Sequence, residues 1–307
     1  MALKDIKNKI KATERTNKVT RAMEAVSAVK MRKTQGAAIA DRAYARAALS
    51  ILARLAGAKE LAAHPLIVER EVKKTALVVI TSDKGLAGAL NSGVLREAEA
   101  ALRSRAPAGQ ARDSVRVFAY GRKGLEHFEH RGYEIARAIA NKSDDVELAA
   151  VEGLAEELAR GFGAGEYDQV IAVYSNFKST FEQSPTARRL LPLSLPVLRE
   201  LVADIVPEKG KFSELGEIEA PAAYTVEPEE ADLIGEIAPR LVAVALYHML
   251  LEGKAAEHSA RMVAMKNASD KSKEVAHELT RRFNKIRQAA ITREVSEIVG
   301  GREALAA

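Results

Sequence analysis

The sequence predicts a mixed α/β protein: a long antiparallel coiled coil of the N- and C-terminal helices plus a small Rossmann-like parallel-sheet α/β domain. Two observations carry this expectation. The nine prolines fall at 65, 107, 185, 192, 196, 207, 221, 228 and 239. Residues 1–64 and 240–307 therefore contain none, and both ends read as long helices around a proline-punctuated middle. Within that middle, apolar runs of strand length alternate with helix-period stretches, the order that builds a parallel sheet with right-handed crossovers. Composition agrees. Aromatic residues make up 5% of the chain and Trp is absent, which favours long helices over sandwiches and barrels.

The first helix is expected over roughly residues 3–58. Leu3, Ile6, Ile10, Thr13, Asn17 and Thr20 recur at alternating three- and four-residue steps, and Met23, Val26, Val29, Ile51 and Leu55 continue the stripe. At 1.5 Å per residue this is a rod of about 80 Å. TALVVITSD (75–83) predicts a strand, Leu86–Ser104 a helix, SVRVFAYG (114–121) a strand and RKGLEHFEHRG (122–132) a short helix. Glu147–Gly161 reads as helix and QVIAVYSNF (169–177) as strand. The prolines of PTARRLLPLSLP (185–196) make residues 185–195 an edge strand, and residues 206–228 form a polar connector.

The last helix is expected from about Glu229 to Val299, roughly 105 Å long. Its stripe includes Ile234, Ile237, Leu241, Val244, Leu251, Met262, Met265, Leu279, Phe283, Ile286 and Ala290. Helices of this length imply a coiled coil. Thr13, Asn17, Ser269 and Ser272 occupy seam positions where a stable zipper wants Leu or Ile, so much of the helix surface is offered to another protein. The expected division is residues 1–60 with 228–307 for the helical pair and 61–227 for the α/β domain.

Charge narrows the partners. The net charge is +5, and residues 1–35 hold ten Lys/Arg against three Asp/Glu. A solvated helix face and a basic helix on an acidic protein surface or on nucleic acid both fit. The absence of cysteine excludes disulfides and thiolate metal sites. The start, MALKDIKNKIKATERTNKVT, lacks the apolar core of a secretory signal. No 18-residue apolar window exists, so a membrane link must run through a partner.

ITSDKGLAGALNS (80–92) raises the question of a phosphate cradle, because strand, glycine turn and helix is the layout that binds phosphate at a helix start. Lys84 precedes Gly85 rather than following it, and no Ser/Thr stands in register to hold a metal, so the Walker pattern fails. The dinucleotide pattern fails too: only Gly85-x-x-Gly88 is present, and the second strand ends in Tyr120-Gly121-Arg122. The alternative is a tight turn, with Ser82 or Asp83 capping the next helix. EHFEH (126–130) places His127 and His130 at a metal-compatible spacing but with no third ligand. His248, His258 and His277 share no face, and no catalytic, cofactor-binding or metal residue is assigned.

IKNKIKATERTNKVTRAMEAVSAVKMRK (6–33), ITSDKGLAGALN, SNFKSTFEQSPTARRLLPL (175–193), EHSARMVAMKNASD (257–270) and FNKIRQAAITREVSEIVGG (283–301) resemble, in order, the ATP synthase gamma subunit family (F-type ATPase gamma chains) of bacterial type. The resemblance spans nearly the whole chain. It implies a central rotor shaft that couples proton-driven rotation of the membrane c-ring to conformational cycling of the beta catalytic sites, with no catalysis of its own. Partners implied are the alpha and beta subunits of the catalytic ring, the epsilon subunit and the c-ring. Membrane association would be peripheral, through partners, on the cytoplasmic side of the inner (plasma) membrane. By resemblance, Met23, Lys18, Arg21, Lys30, Arg32, Arg287, Gln288 and Thr292 contact beta subunits. Ala87 stands where the family commonly has cysteine, and Glu24 and Arg293 also depart from many relatives. A basic coiled-coil nucleic-acid-binding protein is the alternative.

Overall fold

The computed structural model describes residues 3–55, 64–105, 112–143, 146, 148–194, 197 and 230–306. The chain divides into two compact units, residues 28–260 and residues 1–27 with 261–307.

The larger unit contains a five-stranded sheet of order β3-β2-β1-β4-β5. Its elements are β1 (Thr75–Ile80), α2 (Leu90–Arg105), β2 (Val115–Tyr120), α3 (Arg122–Glu129), β3 (Glu134–Ile139), α4 (Ala149–Gly163), β4 (Gln169–Phe177) and β5 (Gln183–Leu191). The β1–β2, β1–β4 and β2–β3 pairs are parallel. β5 returns antiparallel on β4, at the edge where its Pro185 is tolerated. β1 and β4 are buried almost throughout, as continuous apolar strands covered on both faces must be.

Alternation along each strand divides the core. Leu77, Val79, Val117, Ile171 and Val173 face Val94, Ala98 and Phe128 of α2 and α3. Ala76, Val78, Phe118, Val170, Ala172 and Tyr174 face Leu154, Leu158 and Phe162 of α4 together with Leu241–Leu250 of the C-terminal helix, α5 (Glu230–Ala306). Gly161 is required here, since a Cβ would lie 2.3 Å from the buried Tyr167 hydroxyl.

Three expectations need correction in this unit. The helix after β1 begins at Leu90, not Leu86, because Leu86 and Gly88 adopt φ of 63° and 58°, which helical backbone excludes. Neither Ser82 nor Asp83 caps it. Ser82 instead exchanges hydrogen bonds with Asn91, while Asp83 Oδ1 accepts from Arg122 N at 2.8 Å, the first residue of α3. β3 was not expected at all. It is a sheet edge whose residues alternate between exposed and half-buried, and Arg137 in its middle pairs with Glu157.

The N-terminal helix, α1, spans Leu3–Leu55. In the smaller unit its residues 3–27 pair with α5 from residue 261 onward. Asn17 Nδ2 donates to Ser269 O at 2.6 Å and reaches its hydroxyl at 3.1 Å. Glu14, one turn earlier, shares a cleft of about 550 Å³ with Asp270, Lys273, Glu274 and His277, so the two helices run in opposite directions. The covered face of α1 steps through Leu3, Ile6, Ile10, Thr13, Asn17, Thr20, Glu24 and Ser27, a heptad rhythm. The stripe does not continue through Val26 and Val29, which are 54% and 68% exposed. Seam hydroxyls are satisfied within their own helix: Thr20 donates to Thr16 O and Asn17 O, and Thr13 to Lys9 O. Such back-bonding turns a polar residue into a small, nearly apolar contact.

Along α5, Leu241, Val244, Leu251 and Met265 are buried, and Met262, Leu279, Phe283 and Ile286 half-buried, while Ala290 is exposed. α5 ends at Ala306, beyond the expected Val299. The side chains of Ile51, Leu55, Ile234 and Ile237, and the connector 206–228, lie outside the described residues.

Candidate functional site

In an open α/β sheet the ligand crevice lies outside the carboxyl ends of the strands, where strand order reverses. In this sheet that place is between β1, whose chain continues toward β2, and β4, reached by the crossover from β3. α5 fills it. Gly253 lies against Ile80, with Ile80 Cγ2 3.4 Å from where a Cβ would stand. Ala255 and Ala256 form a buried cluster with Phe177 and the partly buried Leu90. The loop of 81–89 is occupied with its own neighbours: Gly124 N donates to Thr81 Oγ1 at 2.8 Å, and Asn141 Nδ2 donates to Thr81 O at 2.7 Å. Gly121 is fixed by the same crowding, since a Cβ there would fall 2.0 Å from Thr81 O at φ 109°. Burial, then the charge of Asp83, raises the Tyr120 phenol pKa. Ala87, the position where the resembled family commonly has cysteine, is 2% exposed.

Within EHFEH, His127 and Glu126 are equally committed. His127 Nε2 lies 2.9 Å from Glu99 Oε1, and Arg131 Nη1 3.1 Å from His127 Nδ1, so both ring nitrogens are engaged. Glu126 is held below the usual carboxylate range, chiefly by its hydrogen bond from Lys123. Among the described residues no group of three or more His, Cys, Asp or Glu could hold a metal ion.

What remains is helix surface. Val19, Ala22, Val26 and Val29 step along α1 at three- and four-residue intervals and are all exposed. At 3.6 residues per turn they lie opposite the seam. Lys18 and Lys30 flank this stripe, Met23 is half-buried between stripe and seam, and Arg21 and Arg32 are exposed toward its far side. These five residues therefore share a helix but not one patch. On α5, residues 287–302 are exposed on every side, past Phe283 and Ile286, the last half-buried positions along the helix. There Gln288 and Thr292 stand one turn apart, with Thr292 Oγ1 donating to Gln288 O at 3.0 Å. Ile291, Val295, Ile298 and Val299 share their face, and Ile298 is 66% exposed. Arg287 projects to one side of it.

The valine stripe and the apolar tip face are exposed surfaces that the sequence reading does not single out. Their signal is a second three-four rhythm in the sequence, which spacing alone does not separate from the seam.

The chain matches the family model described as ATP synthase over residues 2–305. It is 38% identical over 304 residues to the ATP synthase gamma chain of Pelotomaculum thermopropionicum, covering 99% of each chain. The chain belongs to the ATP synthase gamma chain family. The gamma chain of Chloroflexus aurantiacus is likewise 38% identical, with 98% of each chain covered. Among solved structures, the central stalk and c-ring of Tetrahymena thermophila mitochondrial ATP synthase is similar at TM-score 0.58 and 25% identity, over 82% of this chain and 99% of that one. A chain of the Euglena gracilis mitochondrial ATP synthase is similar in fold at TM-score 0.64 and 17% identity, over 99% and 94%. Nothing among these relatives supports the nucleic-acid alternative.

Proposed function

We propose that this chain is the central rotor shaft of an F-type ATP synthase, turning with the membrane c-ring and driving the beta catalytic sites through their conformations. The observation that supports this beyond family membership is the last stretch of α5. It continues well past its partner helix as a single helix, exposed all round, with an apolar face and a polar flank. A solitary helix of this kind gains stability from surfaces that surround it, as the ring of alpha and beta subunits would.

The chain makes and breaks no bonds in this reading. A shaft shifts the equilibrium of each beta subunit only through contacts that differ between orientations. Arg287, Gln288 and Thr292 would make short-lived polar contacts at the tip. Met23, with Lys18, Arg21, Lys30 and Arg32, would face acidic beta surfaces lower down, where charge complementarity steers without rigid locking. Epsilon and the c-ring would bind the α/β unit. No helix among the described residues is long and apolar enough to cross a membrane, and attachment to the cytoplasmic face of the inner membrane would run through the c-ring. The proposed functional division is residues 1–60 with 228–307 as shaft and 61–227 as base.

Affinity purification from solubilised membranes tests this. The expected result is recovery of the chain with alpha, beta, epsilon and c subunits, one copy per three alpha–beta pairs. Recovery without alpha and beta, or in equal copy number with them, contradicts the proposal.

A further inference from the structure

Where α5 crosses the carboxyl edge of the sheet it carries charges that an apolar plug would not need. Glu252 and Lys254 are each 2% exposed. Glu252 Oε2 accepts from Phe177 N, at the end of β4, at 2.9 Å, and its other oxygen lies 3.7 Å from His248 Nε2. Lys254 Nζ donates to Asn141 O, just beyond β3, at 2.9 Å and lies 3.8 Å from Glu257. Asn141 in turn bonds Thr81 O and Asp83 Oδ1 beyond β1, and Asp83 holds the start of α3 beyond β2. One turn further, Ser259 Oγ donates to Thr180 O in the β4–β5 hairpin at 2.6 Å. All these residues belong to the larger unit.

Directed bonds from one short stretch of helix thus reach β4 and its hairpin directly, and the ends of β3, β1 and β2 through Asn141. Apolar contact is non-directional and resists sliding and rotation through shape alone. A buried charge must keep its partner or be left desolvated, so it resists both. We infer that Glu252, Lys254 and Asn141 form the joint that fixes α5 rotationally in the base, so that torque passes between sheet and shaft without slip. These are positioning residues. The inference rests on the rotor reading and adds to it the place where rotation is made rigid.

The test uses whole ATP synthase reconstituted in vesicles, with ATP hydrolysis and ATP-driven proton pumping measured together. Lys254→Met and Glu252→Leu are expected to keep hydrolysis but lose pumping per ATP hydrolysed. Glu252→Gln, which keeps an acceptor for Phe177 N, is expected to retain it. Leu250→Val, a change in the packed core of the same helix, controls for loss of stability: pumping per ATP should survive it at an equal or larger fall in melting temperature. Exchange of the Phe177 amide should be about tenfold faster or more in Glu252→Leu and near the parent rate in Glu252→Gln. The inference is overturned if pumping per ATP is unchanged in both joint variants, or if it follows melting temperature across all four. Failure of the parent complex to pump would instead count against the rotor reading itself.

Discussion

One helix lives in two environments. Between Leu241 and Ser259 every residue of α5 except Tyr247 and Gly253 is buried, whereas residues 287–302 are all exposed. The first stretch packs against β1, β4 and α4 and is tied by buried charges; the second is exposed at every position. Between these extremes, the pairing with α1 uses small and polar seam residues, among them the hydrogen-bonded Asn17 and Ser269. The difference teaches that helix length alone says nothing about where a helix is held. Firm anchorage needs continuous burial, and a surface meant for changing partners needs apolar groups left uncovered.

The largest expected effect is in the anchored stretch. Leu246→Ala, at a site 1% exposed, should destabilise the larger unit by about 3 kcal/mol through lost burial and a residual cavity, measured by denaturant unfolding. Little loss there would mean that the base does not depend on α5.

The Tyr167 phenol pKa is pushed far up by burial first, then by Glu166 and Glu157, against the smaller opposing influence of Arg116 and Arg160. Its folded pKa exceeds the unfolded value of about 10. The protonated ring therefore stabilises the fold fully below about pH 10, and that contribution is lost as pH rises toward the folded pKa. Tyr167→Phe should cost about 1 kcal/mol near neutrality, because its hydroxyl donates to Leu158 O at 3.0 Å. It should also flatten the alkaline fall in melting temperature, a pattern that thermal scans across pH would reveal.

In the paired region the sign reverses. Asn17→Leu should strengthen the α1–α5 seam by about 1 kcal/mol, at the expense of the register that a polar seam residue specifies. Slower amide exchange in residues 10–24 would record the gain; faster exchange would show that Asn17 stabilises rather than only aligns.

The anchored and paired stretches differ in how much of them the sequence disclosed. β4 was read with its observed bounds, because a buried central strand is a continuous apolar run between turn residues. The sheet edge β3 was missed, since EIARAI has a charged centre whose partner, Glu157, lies on another element. Asp83 was read as a local cap, although its target, Arg122 N, is 39 residues away and only the fold brings it close. The heptad through Asn17 was legible from spacing alone. Val26 and Val29, opposite it, extend the same stripe by spacing, because periodicity counts apolar residues without telling which of two faces is covered. The joint at Glu252 and Lys254 is not legible locally, since its hydrogen bonds run to main-chain atoms of Phe177 and Asn141, far away in sequence.

The smallest effect belongs to the tip. Ile298→Ala should change the stability of the isolated chain by less than about 0.5 kcal/mol, because that side chain is 66% exposed. Any larger loss would mean that the tip is packed after all.

Amide hydrogen exchange along α5, in the isolated chain and in the assembled ATP synthase, tests the central contrast most directly. Local opening free energies range from near zero at unsupported ends to the full stability of a core. The account predicts strong protection over residues 241–259 in both states, and rapid exchange over 287–302 in the isolated chain that becomes slow on assembly. Equal protection of the two stretches in the isolated chain, or no gain at 287–302 on assembly, would contradict it.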